Sequence, residues 1–94
     1  MLALKATAEA KVGLRSLRTA NPELFGIVSE RITTLRDDPG GRARDHTFRL
    51  DDGRTARLAT YFDIVAQKDL VLVWFVEEHS GQGLLHLIAV EHAA

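Results

Sequence analysis

Seven consecutive apolar residues, Leu70-Val71-Leu72-Val73-Trp74-Phe75-Val76, limit what this chain can fold into more than any other stretch. Strand side chains alternate between two faces. Leu70, Leu72, Trp74 and Val76 then point one way, and Val71, Val73 and Phe75 the other. Both faces are apolar, so both need cover. A short run rich in β-branched and aromatic types suits a strand better than a buried helix. It gives way to Glu77-Glu78-His79-Ser80-Gly81, a polar stretch with turn chemistry. The expectation is the central strand of a sheet, with helices on one side and a ligand or partner chain on the other.

The residues before it divide into two periods. Residues 2–6 alternate weakly and read as a short first strand or the start of a helix. Thr7 is a fair N-cap for a helix over 8–18, with Ala10, Leu14 and Leu17 on one stripe. Asn21-Pro22-Glu23 is a stronger start signal: Asn caps, Pro fits the first helical position, and Glu favours the positive helix end. The second helix runs to about Arg36 with Leu24, Ile27, Val28, Ile32 and Leu35 at helical spacing, and Asp37-Asp38-Pro39-Gly40-Gly41 stops it. Beyond Gly41 the period is two. Strands are expected over 47–50 and 54–62, joined at Asp51-Asp52-Gly53. The stretch 63–69 reads either as a continued strand or as a turn, and a last strand follows over 84–90. The fold class is α+β: a helical hairpin, with a short strand before it as an open alternative, packed on a curved antiparallel sheet of about four strands.

Ninety-four residues make one domain. A chain of this size buries only roughly 60–65% of its unfolded surface, so its stability is modest. It has no cysteine, which removes disulfides and thiolate metal sites. No stretch reaches the roughly 18 apolar residues of a membrane span, and no signal-peptide pattern opens the chain, so a cytoplasmic location and no membrane partner are expected. The formal net charge is −1, but residues 1–50 carry +3 and residues 51–94 carry −4. Seven arginines and no lysine lie between Arg31 and Arg57. Their planar forks suit phosphates or carboxylates, unless they pair with the neighbouring acids Asp37, Asp38, Asp45, Asp51 and Asp52.

The order of elements resembles the RelE/ParE toxin superfamily of bacterial toxin–antitoxin systems. The segments that carry the likeness are Ile32-Thr33-Thr34-Leu35-Arg36-Asp37-Asp38-Pro39 at the hairpin's end, Ala56-Arg57-Leu58 in the third strand, the run 70–76, and Val90-Glu91-His92-Ala93 after the last strand. The resemblance covers nearly the whole chain. It implies a cytoplasmic toxin held by a cognate antitoxin, cutting mRNA on the ribosome without a cofactor, with a homodimer left open. The chain departs from the family pattern: Leu70 and Val71 stand where an arginine is usual, Ala93 replaces the final arginine, no tyrosine follows it, the segment between Arg57 and Leu70 is longer, and the chain is not strongly basic. A second reading therefore stays open: a non-catalytic binder on the same fold, either an inhibitor of DNA gyrase or a degenerate toxin that only binds an antitoxin.

Cleavage through the RNA 2′-hydroxyl needs a base, a cation at phosphorus and an acid for the leaving oxygen. The candidates are Arg57 for the phosphate, His92 as acid or base, and Glu91 or Glu78 as its partner. Arg49 and Arg54 are candidate RNA contacts, and Tyr61 is a platform for an unstacked base. Each has a plainer reading. Arg57 and Glu78 suit a solvated surface, His92 a frayed end, His86 a half-buried strand, and Tyr61 and Trp74 a core. His46 and His79 lack partners at metal-ligand spacing, so no metal site is expected. No glycine-rich phosphate loop opens a helix.

Overall fold

The computed structural model of the protein describes residues 3–37, 46–79 and 82–93. Seven elements follow in order: β1 (Ala3–Ala6), α1 (Ala8–Ala20), α2 (Pro22–Asp37), β2 (His46–Arg49), β3 (Thr55–Asp63), β4 (Lys68–His79) and β5 (Gln82–His92). They build an α+β fold with one open five-stranded mixed sheet of order β1-β5-β4-β3-β2. The stretches β2 to β5 pair as the expected antiparallel meander. The expectation of about four strands, all antiparallel, is corrected by β1. It runs parallel to β5, with Ala3 opposite Leu84 and Ala6 opposite Leu87. Its partner lies at the far end of the chain, so no local pattern announces the pairing.

Both helices start where their caps place them. The Thr7 hydroxyl oxygen accepts from the Ala10 N–H at 3.2 Å, and the hydroxyl donates to the Ile88 carbonyl. Thr7 N–H also donates to the Leu87 carbonyl at 3.0 Å, so one residue ends β1, starts α1 and ties both to β5. Asn21 Oδ1 accepts from the Leu24 N–H at 3.2 Å, and Pro22 takes the first position of α2. Asp37 is still helical; the expected stop at Asp38, Pro39, Gly40 and Gly41 lies outside the described residues.

One connection settles an open reading and another differs from expectation. Residues 64–67 form a turn, with Gln67 at φ 56° and Ile64 and Val65 exposed, so they do not extend β3. At the other end of β4, Glu77, Glu78 and His79 are strand and not turn, and β5 resumes at Gln82. The β4–β5 hairpin is therefore longer than polarity suggests, because backbone pairing carries solvated side chains as readily as apolar ones. Between β2 and β3, Gly53 at φ 89° supplies the left-handed residue of the expected Asp-Gly turn.

The helices cover one face of the sheet. Leu24, Val28, Ile32 and Leu35 of α2 and Ala10 and Leu17 of α1 form a single buried cluster with Leu70, Leu72, Trp74, Leu85, Leu87 and Val90. In β5 the pairing skips a residue: Leu87 faces Trp74 but Ala89 faces Val73. This bulge at Ile88 shifts the alternation by one. Leu85 and Leu87 before it, and Val90 and His92 after it, all turn toward the helices. Alpha-1 lies so close to β5 that a Cβ on Gly13 would sit 1.8 Å from the Val90 carbonyl oxygen. Among the described residues the outer edge of β5 beyond Leu87 has no strand partner, and α1 approaches it at Gly13 and Val90.

Candidate functional site

The face away from the helices carries Val71, Val73 and Phe75 from β4, and register adds Ala56, Leu58, Thr60 and Phe62 from β3 and His86 and Ala89 from β5. Residues from both ends of the strand order line one pocket of about 550 Å³ on this face: Lys5 of β1, and Leu50, Asp51, Asp52 and Arg54 from the β2–β3 turn. The sheet thus curls toward its open face. Phe75, His86 and Ile88 line the same pocket.

Three side chains stack at its centre. Phe75 and His86, directly opposite across β4 and β5, lie with ring centroids 4.3 Å apart and planes 8° from parallel. The Arg54 guanidinium sits 4.3 Å from the Phe75 centroid, coming from the β3 side of β4. His86 Nε2 meets Glu77 Oε2 at 2.7 Å. Arg54 Nε donates to Asp52 Oδ2 at 2.6 Å, and Arg54 N–H to Asp52 Oδ1 at 3.0 Å. These bonds hold the Asp52 carboxyl below its usual range and push the Arg54 guanidinium up. Lys5 lies opposite His86 in the parallel register, on the same face. His86, the cations Lys5 and Arg54 and the acids Asp51 and Asp52 therefore line one curved, largely apolar pocket, with Glu77 bonded to His86.

The residues singled out from sequence do not gather in one place. Arg54 is in the pocket. Arg57, Arg49 and Tyr61 alternate to the helix side: Arg57 is half-buried opposite Trp74, Tyr61 packs against the core opposite Leu70, and Arg49 is exposed on the edge strand. His92 is also on the helix side, opposite Leu70. Arg57 and Tyr61 are four residues apart on β3, so Arg57 and His92 sit roughly 13 Å apart along the strands, besides two strand spacings across. Glu91 alternates away from His92 and is exposed. The Glu78 side chain lies outside the described residues.

His92 is not frayed. Its Nε2 meets Asp63 Oδ2 at 2.7 Å, and Asp63 is fully buried. The other carboxylate oxygen accepts from Asn21 Nδ2 at 2.9 Å, Val65 N–H at 3.0 Å and Ala66 N–H at 3.1 Å. The His92 bond, then that of Asn21, lowers the Asp63 carboxyl to about 2, against the opposing effect of burial. This knot joins the α1–α2 junction, the end of β3 and the end of β5. Its geometry is that of a structural tie.

Sequence reasoning missed Lys5, Glu77 and His86. Register places two of them: β4 and β5 pair with His79 opposite Gln82, which sets Phe75 opposite His86 and Glu77 diagonal to it. Among the described residues, no three His, Asp or Glu side chains cluster as a metal site, and no helix is long and apolar enough to cross a membrane. No protein-family model, curated protein or solved structure matches this chain.

Proposed function

We propose that this chain is the toxin of a toxin–antitoxin pair of the RelE/ParE kind, and that it cuts mRNA at the open face of its sheet. The observation that supports this most is the convergence of His86, Arg54 and Lys5 on one curved pocket, with Glu77 bonded to His86. In this reading His86 takes the proton of the RNA 2′-hydroxyl, and Glu77 orients the ring through its bond to Nε2. Arg54 stabilises the charge that develops on phosphorus. The Lys5 ammonium gives a proton to the leaving 5′-oxygen, and the products are a cyclic phosphate and a 5′-hydroxyl. The partner that restrains it is a cognate antitoxin, and the substrate is mRNA on the ribosome.

The second reading, a binder without catalysis directed at an antitoxin or at DNA gyrase, draws support from a specific feature. Arg54 is already engaged by Asp52, and a phosphate must compete with that carboxylate. Induced expression in a bacterial host separates the two. The nuclease reading expects growth arrest with mRNA cuts mapped on translating ribosomes. His86→Ala should slow cleavage by roughly 10²–10⁴, and Arg54→Ala should abolish it. Arg57→Ala, outside the pocket, should leave cleavage unchanged. Growth arrest without mRNA cuts would transfer the proposal to the binding reading.

A further inference from the structure

A second concavity, of about 500 Å³, lies on the helix side between α1 and the end of β5, away from the pocket described above. Its floor is Leu70 and Val90, and its wall is the stripe Ala8, Val12 and Gly13 of α1. Val12 is an apolar side chain left 53% exposed on that wall. The close approach of Gly13 to the Val90 carbonyl keeps the wall thin. The polar residues lining the groove are Glu9, Ser16, Glu91 and His92, with no lysine or arginine among them. Glu9 shares the α1 stripe with Val12 and Ser16. Glu91 lines the groove at the strand end with its side chain alternating toward the open face, and the buried Asp63 carboxylate is bonded to His92.

An apolar trough with the Glu9 carboxylate on its rim selects a side chain with an apolar stem and a cationic head. We propose that this groove docks a lysine or arginine of a partner protein, flanked by a large apolar residue, with the stem against Val12 and Val90 and the head at Glu9. An acidic segment is excluded by the same charge. The site does not depend on what the open face does.

The test is amide-resolved NMR titration of the full chain with two blocked tripeptides, N-acetyl-Leu-Arg-Leu-amide and N-acetyl-Leu-Glu-Leu-amide. The arginine peptide should shift the amides of Val12, Gly13 and Val90 saturably at millimolar concentration, and the glutamate peptide should not. Glu9→Gln should weaken the arginine peptide at least fivefold while leaving the rest of the spectrum in place. Glu91→Gln should leave its affinity unchanged. Equal binding of both peptides, no saturable shift with either, or an unchanged affinity in Glu9→Gln would overturn the proposal. Shifts confined to the open-face residues Phe75 and His86 would overturn it too.

Discussion

At the scale of single residues, two positions carry more than their neighbours. Trp74 is wholly buried, opposite Arg57 and Leu87, with the Arg31 guanidinium 5.3 Å from its ring. Its indole N–H finds no acceptor among the described residues, so the ring acts through packing. Trp74→Ala should cost about 3–5 kcal/mol in urea denaturation, the usual range for a buried large aromatic; a loss under about 1 kcal/mol would contradict the core described above. Asp63 makes stability depend on acid. Its carboxyl drops from 3.8 when free to about 2 in the fold, so the folded state binds its proton less readily than the unfolded chain. The resulting stability is fully present above about pH 4 and is lost as pH falls toward 2. Urea midpoints at pH 5 and pH 2.5 should diverge in the wild type, and this difference should shrink in Asp63→Asn. Asn21→Ala removes both the α2 cap and a bond to the buried carboxylate, and should cost about 1–2 kcal/mol at neutral pH.

At the scale of elements, the close seat of α1 against β5 depends on Gly13. Gly13→Ala drives a methyl into the Val90 backbone, and should destabilise by about 1–3 kcal/mol; Gly26→Ala, on α2 where a Cβ would meet nothing within 4 Å, is the matched control and should be neutral or slightly stabilising. Most elements were legible in the sequence, because caps and periodicity are local. Thr7 and Asn21 announced both helices, and the run 70–76 announced the centre of β4. What local pattern could not supply was the facing of β3. Its two sides read as Ala56, Leu58, Thr60 and Phe62 against Thr55, Arg57, Ala59 and Tyr61, and the first set is the more apolar. The structure turns the second set to the helices and leaves Phe62 58% exposed. Register with β4 decides this, since Arg57 must lie opposite Trp74 and Tyr61 opposite Leu70. The bulge at Ile88 has the same character. One skipped residue puts His92 under the helices, and the sequence carries no mark of where the skip falls.

At the scale of the whole molecule, the charge asymmetry has been sorted by the fold. Arg31, Arg36, Arg49 and Arg57 belong to α2 and the helix side of β2 and β3, whereas Arg54 belongs to the open face; Arg42 and Arg44 lie outside the described residues. Arg31 is buried against Trp74, so the exposed part of the set is smaller than the sequence count implies. If an acidic antitoxin binds through the exposed remainder, its association rate should fall as salt rises. A stopped-flow rate that is the same at low and high ionic strength would remove the arginines from that role. The candidate site was only partly legible for the same reason as the β3 facing. Arg54 was named from its charge, but its neighbours Lys5 and His86 reach it only through strands from opposite ends of the chain.

That last feature bears on how the protein is made. Thr7 bonds to Ile88, 81 positions further on, and β1, α1 and β4 all dock on β5. A ribosome must therefore release nearly all of the described chain before the sheet can close, and contacts of such long range slow folding. Until then the seven apolar residues of β4 have no β5 beside them, and the nascent chain presents an open strand edge to whatever is near. A chain assembled this way gains its open-face pocket only once β5 has been made, when Lys5 and His86 first meet.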